Sequence, residues 1–218
     1  MWKWVKWASL VIGIIIILPI LYLFQPWVFL PHKHIQMSLP FAVSEDKDIS
    51  LIPMGEKIEH NESNGTPDGH PGLDFGFKKE TDILAVADGI ITSIEKDKEG
   101  RYNIEQQMGF FYRTRYTELN SKEPSLHFLT RVKKGQVIGQ TGSSEDISHK
   151  FEKGAKNRQM HWDFASSSMA IDRLCPVNYF DAESKIRLEN IWANVPAGDI
   201  FRKDYPDICN GVFKNKGE

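Results

Sequence analysis

The sequence predicts an all-β, or at least β-dominated, domain with an antiparallel sheet, preceded by one transmembrane helix. Short segments rich in β-branched and aromatic residues alternate with turn formers between Asp82 and Phe164. No long amphipathic helical pattern interrupts this interval, and its connections are too short for the helical crossovers that parallel strands need. Near the N terminus, a run of 25 uncharged residues is long enough to cross a bilayer as a helix.

The residues at both ends of the apolar run are typical of a membrane helix. It begins after Lys6 and ends before His32, and tryptophans lie toward both ends, as in the aromatic belts of membrane interfaces. The run is longer than the apolar region of a signal peptide and no small-x-small pattern follows it, which favours an uncleaved anchor over a cleaved signal peptide. Lys3 and Lys6 precede the run, so we expect a cytoplasmic N terminus and an extracytoplasmic main domain, although Lys33 opposes this orientation.

Four segments follow from these patterns. Residues 1–31 are a cytoplasmic tip and signal anchor, and residues 32–68, which are polar and rich in turn formers, are a juxtamembrane spacer and loop. Residues 69–180 form the β domain, and residues 181–218 are a C-terminal extension. Within or next to that extension, "FDAESKIRLENIWANV" predicts one short helix.

The strands of the β domain are predicted in chain order. "DILAVADGIITSIEKDKEG" places β-formers on both sides of the Asp88–Gly89 turn signal, and "RYNIEQQ" and "FFYRTRYTEL" continue with further β-formers. "RVKKGQVIGQTGSS" and "QMHWDFASS" complete the set. The glycines of "KKGQVIGQTG" are read as turns and not as a phosphate cradle, because no helix follows them.

Charge and cysteine content limit the class of protein. Residues 41–218 carry 24 basic and 29 acidic side chains, a net charge of −5, which is not the electrostatic footprint of a nucleic-acid-binding domain. The two cysteines, Cys175 and Cys209, would lie in an oxidising compartment and could form a disulfide that fastens the C-terminal extension to the domain. Two separate thiols are the alternative.

The stretch "HPGLD" places a histidine and an aspartate four residues apart without a helix. Pro71 and Gly72 make a helix improbable, so His70 and Asp74 must converge from a turn or an extended segment, as the ligands of a metal ion would. In "RQMHWDF", the period of two places Gln159, His161 and Asp163 on one strand face.

Together these residues match the donors of a catalytic zinc site. His70, Asp74 and His161 would supply two nitrogens and one oxygen to Zn²⁺, leaving the fourth position for water, and Asp163 could orient a ligand. Taken singly, each signal is weak, because a histidine near an aspartate, or a lone strand histidine, is more often structural.

The order of these elements along the chain resembles a known family. From His70 to Ala165, somewhat under half of the chain, the succession resembles the lysostaphin-type, or LytM-type, zinc peptidases, which cut peptide bonds in bacterial peptidoglycan. The stretches that carry the resemblance are "HPGLDF", "AVADGII", "RYTELN", "VKKGQVIGQTG" and "QMHWDF". The resemblance implies a β-sheet fold with zinc on the floor of a groove, held by His70, Asp74 and His161.

Two histidines of the family pattern are replaced in this chain. Glu118 stands where the family has the histidine of its Tyr-x-His-Leu element, and Gln159 stands for the first histidine of His-x-His. Glu118 could serve as the general base, and the Gln159 amide could donate a hydrogen bond to an oxyanion. His127 and His149 could substitute from flanking loops, although exposed loop histidines are the simpler interpretation.

Tyr116 allows two interpretations. It shares a strand face with Glu118 by the period of two, which would let it contact the substrate or the transition state. The alternative is a half-buried strand tyrosine without a catalytic part.

These observations predict a membrane-anchored zinc metallopeptidase that hydrolyses peptide bonds of bacterial peptidoglycan. The alternative function is a catalytically impaired module that binds the wall or regulates a partner wall hydrolase. A third alternative is a purely structural zinc, whose fourth ligand would be Glu118 itself. The expected partners are a peptidoglycan peptide and, through the N-terminal helix, the membrane.

Overall fold

The computed structural model divides the chain into two compact units, Met1–Lys33 and His34–Glu218. It describes residues 6–7, 11–18, 35–42, 45–55, 69–142, 158–166, 173–195 and 200–210. In the first unit, residues 11–18 are helical. Within the described residues, no helix is both long and apolar enough to cross a membrane. Most of the predicted anchor lies outside the described residues, and the anchor stays a prediction.

The second unit is β-dominated, as predicted, and its main sheet has seven strands within the described residues. All neighbouring strands are antiparallel, in the order β1, β3, β11, β7, β6, β5, β9. The strands are β1 (Ile49–Ile52), β3 (Leu73–Phe77), β5 (Gly89–Lys96), β6 (Tyr102–Met108), β7 (Tyr112–Leu119), β9 (Arg131–Val132) and β11 (Gln159–Ser166). Strands β3, β11 and β7 lie side by side in this sheet, and they carry most of the predicted site residues.

The other strands in the described part of the chain form two smaller sheets. One joins β4 (Asp82–Leu84), β10 (Val137–Gln140) and β8 (Ser121–Lys122) in antiparallel pairs. The other pairs β2 (Met54–Gly55) with β12 (Cys209–Asn210), and this pair is parallel.

Alternation along the strands separates a core face from an open face of the main sheet. On β11, Met160, Trp162 and Phe164 are fully or almost fully buried among the residues of the hydrophobic core. The intervening residues Gln159 and His161 are only half-buried. Because side chains alternate with a period of two, Gln159, His161 and Asp163 share the open face, as the sequence predicts.

The structure corrects the interpretation of residues 32–68 as a spacer and loop. Strands β1 and β2 lie in this segment, and Met37, Leu39 and Phe41 are buried in the core. The segment reads as a spacer because its apolar residues are isolated and stand between turn formers, whereas their burial depends on partners far along the chain. Residues 56–68 of the segment lie outside the described residues.

The C-terminal extension contains the predicted helix, which spans Ala182–Asn194. Asp181 caps its N terminus by accepting a hydrogen bond from the Ser184 backbone amide, and Leu188, Ile191 and Trp192 are buried. A short helix, Ile200–Asp204, follows. Cys175 and Cys209 form a disulfide with a Cα–Cα distance of 5.8 Å, so the extension is covalently fastened to the domain.

Candidate metal centre

Three side chains that are far apart in sequence meet at the open face of the main sheet. The Nε2 atom of His70 lies 3.0 Å from Oδ1 of Asp74 and 3.2 Å from Nδ1 of His161. The same Asp74 oxygen lies 2.7 Å from His161 Nδ1. His70 and Asp74 are almost fully buried, with 1% and 3% exposure, and 18% of the His161 side chain is exposed. Among the described residues, these three form a cluster able to hold a metal ion.

Strand pairing brings the three residues together. Asp74 of β3 and His161 of β11 are direct partners in the antiparallel ladder, so their side chains project side by side. His70 precedes β3 and exchanges two backbone hydrogen bonds with Gly55, at 2.8 and 3.0 Å. The turn through Pro71 and Gly72 then returns the chain to Asp74, which is the non-helical convergence that the sequence predicts.

A backbone carbonyl fixes the orientation of His70. Its Nδ1 lies 2.7 Å from the carbonyl oxygen of Pro53, and because a carbonyl only accepts, Nδ1 must carry the hydrogen. Nε2 is therefore the ring nitrogen that faces Asp74 and His161. Carbonyl support of this kind is the usual way in which a metal-binding histidine is held in one tautomer.

A charged pair lies behind His161. The Asp163 carboxylate is buried and lies 3.9 Å from Nε2 of His161, and Arg173 donates a hydrogen bond of 3.0 Å to its Oδ1. Asp163 therefore faces the ring nitrogen that points away from the cluster. The part of Asp163 in orienting a ligand stays a prediction.

The donor set fits a zinc ion. With Nδ1 of His70 donating to Pro53, the cluster presents two ring nitrogens and one carboxylate oxygen around one point, and zinc accepts these atom types as ligands. Ligand atoms around a tetrahedral zinc are about 3.3 Å apart, and the observed separations of 2.7–3.2 Å need only a small opening. His70, Asp74 and His161 are therefore suited to hold zinc.

The same cluster changes the pKa of His161. Burial alone would lower the pKa of the His161 imidazole, but the hydrogen bond to Asp74 and the charge of Asp74 outweigh burial and raise this pKa above its ordinary value. In the metal-free protein the ring therefore holds a proton more firmly than a free histidine does. A metal ion must displace that proton to bind Nδ1.

Glu118 reaches the open face through a bulge. The pairing of β6 with β7 is irregular between Tyr102 and Ile104, and Glu118 has a φ of 68°, in the left-handed region that side chains rarely adopt. The bulge brings Glu118 beside Gln159, whose amide donates a hydrogen bond of 2.7 Å to its Oε2. The two residues that replace family histidines are therefore in direct contact.

Neighbouring groups shift the pKa of the Glu118 carboxylate in opposite directions. Burial and, next, the nearby charge of Asp74 raise its pKa above the ordinary value, while the hydrogen bond from Gln159 and the charges of Arg101 and His161 act in the opposite direction. Arg101 lies 3.3 Å from its Oε1, and 23% of the Glu118 side chain is exposed. Glu118 lies outside the three-residue cluster, so the structure does not make it a fourth ligand.

The structure corrects the interpretation of Tyr116 as a residue that contacts substrate. Tyr116 follows Tyr112 and Thr114 into the core by the period of two and is fully buried, whereas the bulge turns Glu118 to the open face. Its hydroxyl donates to Oε1 of Gln106 at 2.8 Å and accepts from the Val86 amide at 3.0 Å. Tyr116 is also buried more deeply than the half-buried tyrosine of the alternative interpretation.

The loop histidine that the structure describes, His127, is not part of the cluster. His127 is exposed, and its Nδ1 hydrogen-bonds to the carbonyl oxygen of Phe128 at 3.0 Å. His149 lies outside the described residues.

Sequence reasoning missed three contributors to this site. Pro53 acts through a backbone carbonyl, which leaves no sequence signal. Arg101 and Arg173 are charged residues without a motif, although Arg101 precedes β6, whose neighbour β7 carries Glu118. Only the strand pairing reveals that these residues support Glu118 and Asp163.

Gly72 is required because of its close approach to β11. A Cβ atom at this position would lie 2.4 Å from the carbonyl oxygen of Trp162 and 3.0 Å from Nε2 of His161. We expect Gly72→Ala to destabilise the protein by about 1–3 kcal/mol and to weaken zinc binding, because the backbone of β11 must shift. Chemical unfolding and a chelator competition would measure the two effects.

Gly76→Ala is the matched control for that prediction. The added Cβ atom would meet the Ser50 hydroxyl at 2.4 Å, and this hydroxyl can rotate away. Equal losses of zinc affinity in both variants would contradict the importance of the Gly72 contact with His161.

Comparison with known proteins places this site in a family. Residues 68–173 match peptidase family M23. No curated protein matches the sequence closely enough to count as a relative.

Among solved structures, a chain of the "SpoIIQ-SpoIIIAH pore forming complex" is similar, with 21% identity and a TM-score of 0.52, over 72% of this chain and 98% of that chain. A chain of a second SpoIIIAH and SpoIIQ complex matches with 20% identity and a TM-score of 0.50, over 66% and 99% of the two chains. The catalytic domain of lysostaphin from Staphylococcus simulans matches with 16% identity and a TM-score of 0.45, over 62% and 93%.

The two SpoIIQ–SpoIIIAH matches show a shared fold. The match to the family covers His70, Asp74 and His161 together with Glu118 and Gln159. The match to peptidase family M23 covers 106 of the 218 residues, just under half of the chain.

Proposed function

We propose that this protein is a zinc metallopeptidase that hydrolyses peptide bonds of bacterial peptidoglycan. The observation that carries the proposal is the convergence of His70, Asp74 and His161, whose donor atoms lie 2.7–3.2 Å apart on the open face of the sheet. The match of residues 68–173 to a peptidase family supports the reaction class. Zinc held here would polarise the scissile carbonyl and lower the pKa of the attacking water.

Glu118 is the residue suited to accept the proton of that water. A general base works best when its pKa approaches the working pH, and burial together with Asp74 raises the pKa of Glu118 in that direction. Gln159 holds one carboxylate oxygen and Arg101 lies near the other, so the side chain is kept in one position. The second hydrogen of the Gln159 amide remains to donate to an oxyanion.

The open face of the sheet offers a surface for an extended peptide. Arg113 and Arg115 of β7 follow the same alternation as Thr117, the direct partner of His161. Glu105 of β6 is the direct partner of Arg115. Charged side chains of both signs therefore flank the cluster, and the zwitterionic stem peptides of the wall have complementary groups.

A non-catalytic module that binds the wall or a partner wall hydrolase is the second candidate function. One observation favours it: both oxygens of Glu118 already face donors, Gln159 and Arg101, so the carboxylate is partly engaged. The similar chains from the SpoIIQ–SpoIIIAH complex also come from a protein assembly. A structural zinc closed by Glu118 is less well supported, because Glu118 lies outside the cluster.

The proposed location is extracytoplasmic, with a single N-terminal membrane anchor and a cytoplasmic N terminus. The apolar sequence of residues 7–31 supports the anchor, and the lysines before it support the orientation. The disulfide between Cys175 and Cys209 is the kind that persists in oxidising compartments.

The test is release of soluble fragments from purified peptidoglycan by the full-length protein, with zinc content measured on the same samples. Stoichiometric zinc and zinc-dependent release of fragments are expected. Bound zinc without release would favour the binding or regulatory module, and absence of zinc from the folded protein would overturn the metal site.

The raised pKa of His161 makes zinc affinity depend on pH. Below this pKa the proton on the imidazole competes with zinc, so the apparent affinity is expected to fall as the pH drops through a value above the ordinary pKa of histidine. One competing proton corresponds to about tenfold in affinity per pH unit. Titration calorimetry in buffers of different ionisation enthalpy would count the released proton, and a flat affinity from about pH 6 to 8 would contradict the prediction.

A further inference from the structure

The C-terminal end of the described chain lies against the segment that orients His70. We call Ile208–Asn210, together with the disulfide of Cys209, the C-terminal strap. Its strand β12 pairs in parallel with β2, with Cys209 opposite Met54. The Met54 amide donates a hydrogen bond of 2.9 Å to the Ile208 carbonyl. Ile208 is also buried, with 8% exposure, so the strap is packed as well as hydrogen-bonded.

The segment held by the strap is the one that contacts His70. Gly55 exchanges two backbone hydrogen bonds with His70, and Pro53, directly before β2, accepts the hydrogen of its Nδ1 at 2.7 Å. Thus β2 lies between the strap on one side and the His70 backbone on the other. Loss of the strap would free this segment and, with it, the carbonyl that fixes the tautomer of His70.

The other end of the disulfide leads to His161. Cys175 follows Leu174, whose amide donates a hydrogen bond of 2.8 Å to the Phe164 carbonyl of β11. Arg173, one residue earlier, pairs with Asp163, which faces Nε2 of His161. The disulfide therefore joins the two segments that support the two histidines of the cluster from behind.

We propose that the disulfide and the C-terminal strap are positioning elements of the metal centre, so that reduction of Cys175–Cys209 weakens zinc binding. This inference rests on the proposed function, because it assumes that the cluster binds zinc. It goes beyond a fastening of the C-terminal extension, since it links the oxidation state of the two cysteines to metal affinity.

The redox step is an ordinary thiol–disulfide exchange with a dithiol reductant. A thiolate of the reductant attacks one sulfur, the Cys175–Cys209 bond breaks, and a mixed disulfide forms while the other cysteine leaves as a thiolate. The second reductant thiolate then attacks the reductant's own sulfur in the mixed disulfide and releases the first cysteine. Two electrons and two protons end on the cysteines, and the reductant becomes a disulfide. Cys175 and Cys209 are both half-buried, so partial exposure gives the reductant access.

The experiment compares zinc affinity of the full-length protein with and without the disulfide. Zinc dissociation constants would be measured by competition with a chromophoric chelator for the oxidised protein, for protein reduced by a dithiol and alkylated, and for Cys175→Ser/Cys209→Ser. Reductant is removed before zinc is added, because dithiols bind zinc. The expected result is an increase of the dissociation constant by about 10- to 100-fold, the usual loss when the support of a metal ligand is removed.

Two further variants separate positioning from general stability. Ile138→Ala removes a fully buried side chain in β10, which belongs to a different sheet, and should lower the melting temperature without changing zinc affinity. Asn210→Ala keeps the disulfide but removes a side-chain hydrogen bond of 3.4 Å to the Met54 carbonyl. It should produce a smaller increase in the zinc dissociation constant, and it remains informative if the serine double variant does not fold.

The outcomes distinguish this inference from the proposed function. Unchanged zinc affinity in the reduced protein and in Asn210→Ala would overturn the inference alone. An equal loss of affinity in Ile138→Ala would also overturn it, because the effect would then follow stability. Absence of zinc binding by the oxidised wild-type protein would overturn the metal site and this inference together.

Discussion

Replacement of Glu118 with glutamine is expected to lower the rate of peptide-bond hydrolysis by about 10²- to 10⁴-fold while zinc stays bound. The amide has nearly the shape of the carboxylate but cannot accept a proton from water, and general-base assistance usually contributes a factor of this size. The hydrogen bond to Gln159, 2.7 Å long, can be retained by rotation of the new amide, so the backbone bulge at this position should persist.

The measurement is the rate of fragment release from peptidoglycan, with zinc content determined for each sample. Glu95→Gln is the matched control, because it makes the same chemical change at an exposed position of β5. Full activity of Glu118→Gln would contradict the assignment of the base. Loss of zinc from this variant would instead favour Glu118 as a structural ligand.

Replacement of His161 with alanine is expected to remove both zinc and activity. The change deletes one of three donor atoms and leaves a gap beside Asp74, whose Oδ1 lies 2.7 Å from the lost Nδ1. Since loss of mere support for a ligand costs about 10- to 100-fold in metal affinity, loss of a ligand should cost more. Zinc affinity by chelator competition is the measurement.

An exposed histidine provides the comparison for that variant. His127→Ala changes a residue of the same type that lies outside the cluster and hydrogen-bonds to a neighbouring carbonyl. It should keep zinc and activity. If His161→Ala bound zinc as tightly as the wild-type protein does, the metal would be held at another site.

The elements of the fold and site that the sequence predicts are those with a local pattern. The β-rich segments, the short helix and the shared face of Gln159, His161 and Asp163 follow from residue preference and periodicity. The convergence of His70 with Asp74 follows from the proline and glycine between them, which exclude a helix. For these elements, the local conformational preferences of the chain are enough to predict the structure.

The features of the fold and site that the sequence does not predict depend on contacts between distant segments. The bulge that turns Glu118 away from the face of Tyr116 has a positive φ at a glutamate, without the glycine that would have indicated it. The sequence does not predict β1 and β2, because their stability comes from pairing with β3 and β12. Pro53 supports His70 through its main chain, and a carbonyl oxygen is common to all residues.

The contact between Glu118 and Gln159 couples the two positions energetically. Both positions hold histidines in the pattern that the sequence resembles, and here their replacements hydrogen-bond to each other. Changing one of the two alone removes the present partner of the other, and loss of a partner is costly for a half-buried polar group. We therefore expect Glu118→His and Gln159→His made together to destabilise the protein less than the sum of the two single substitutions.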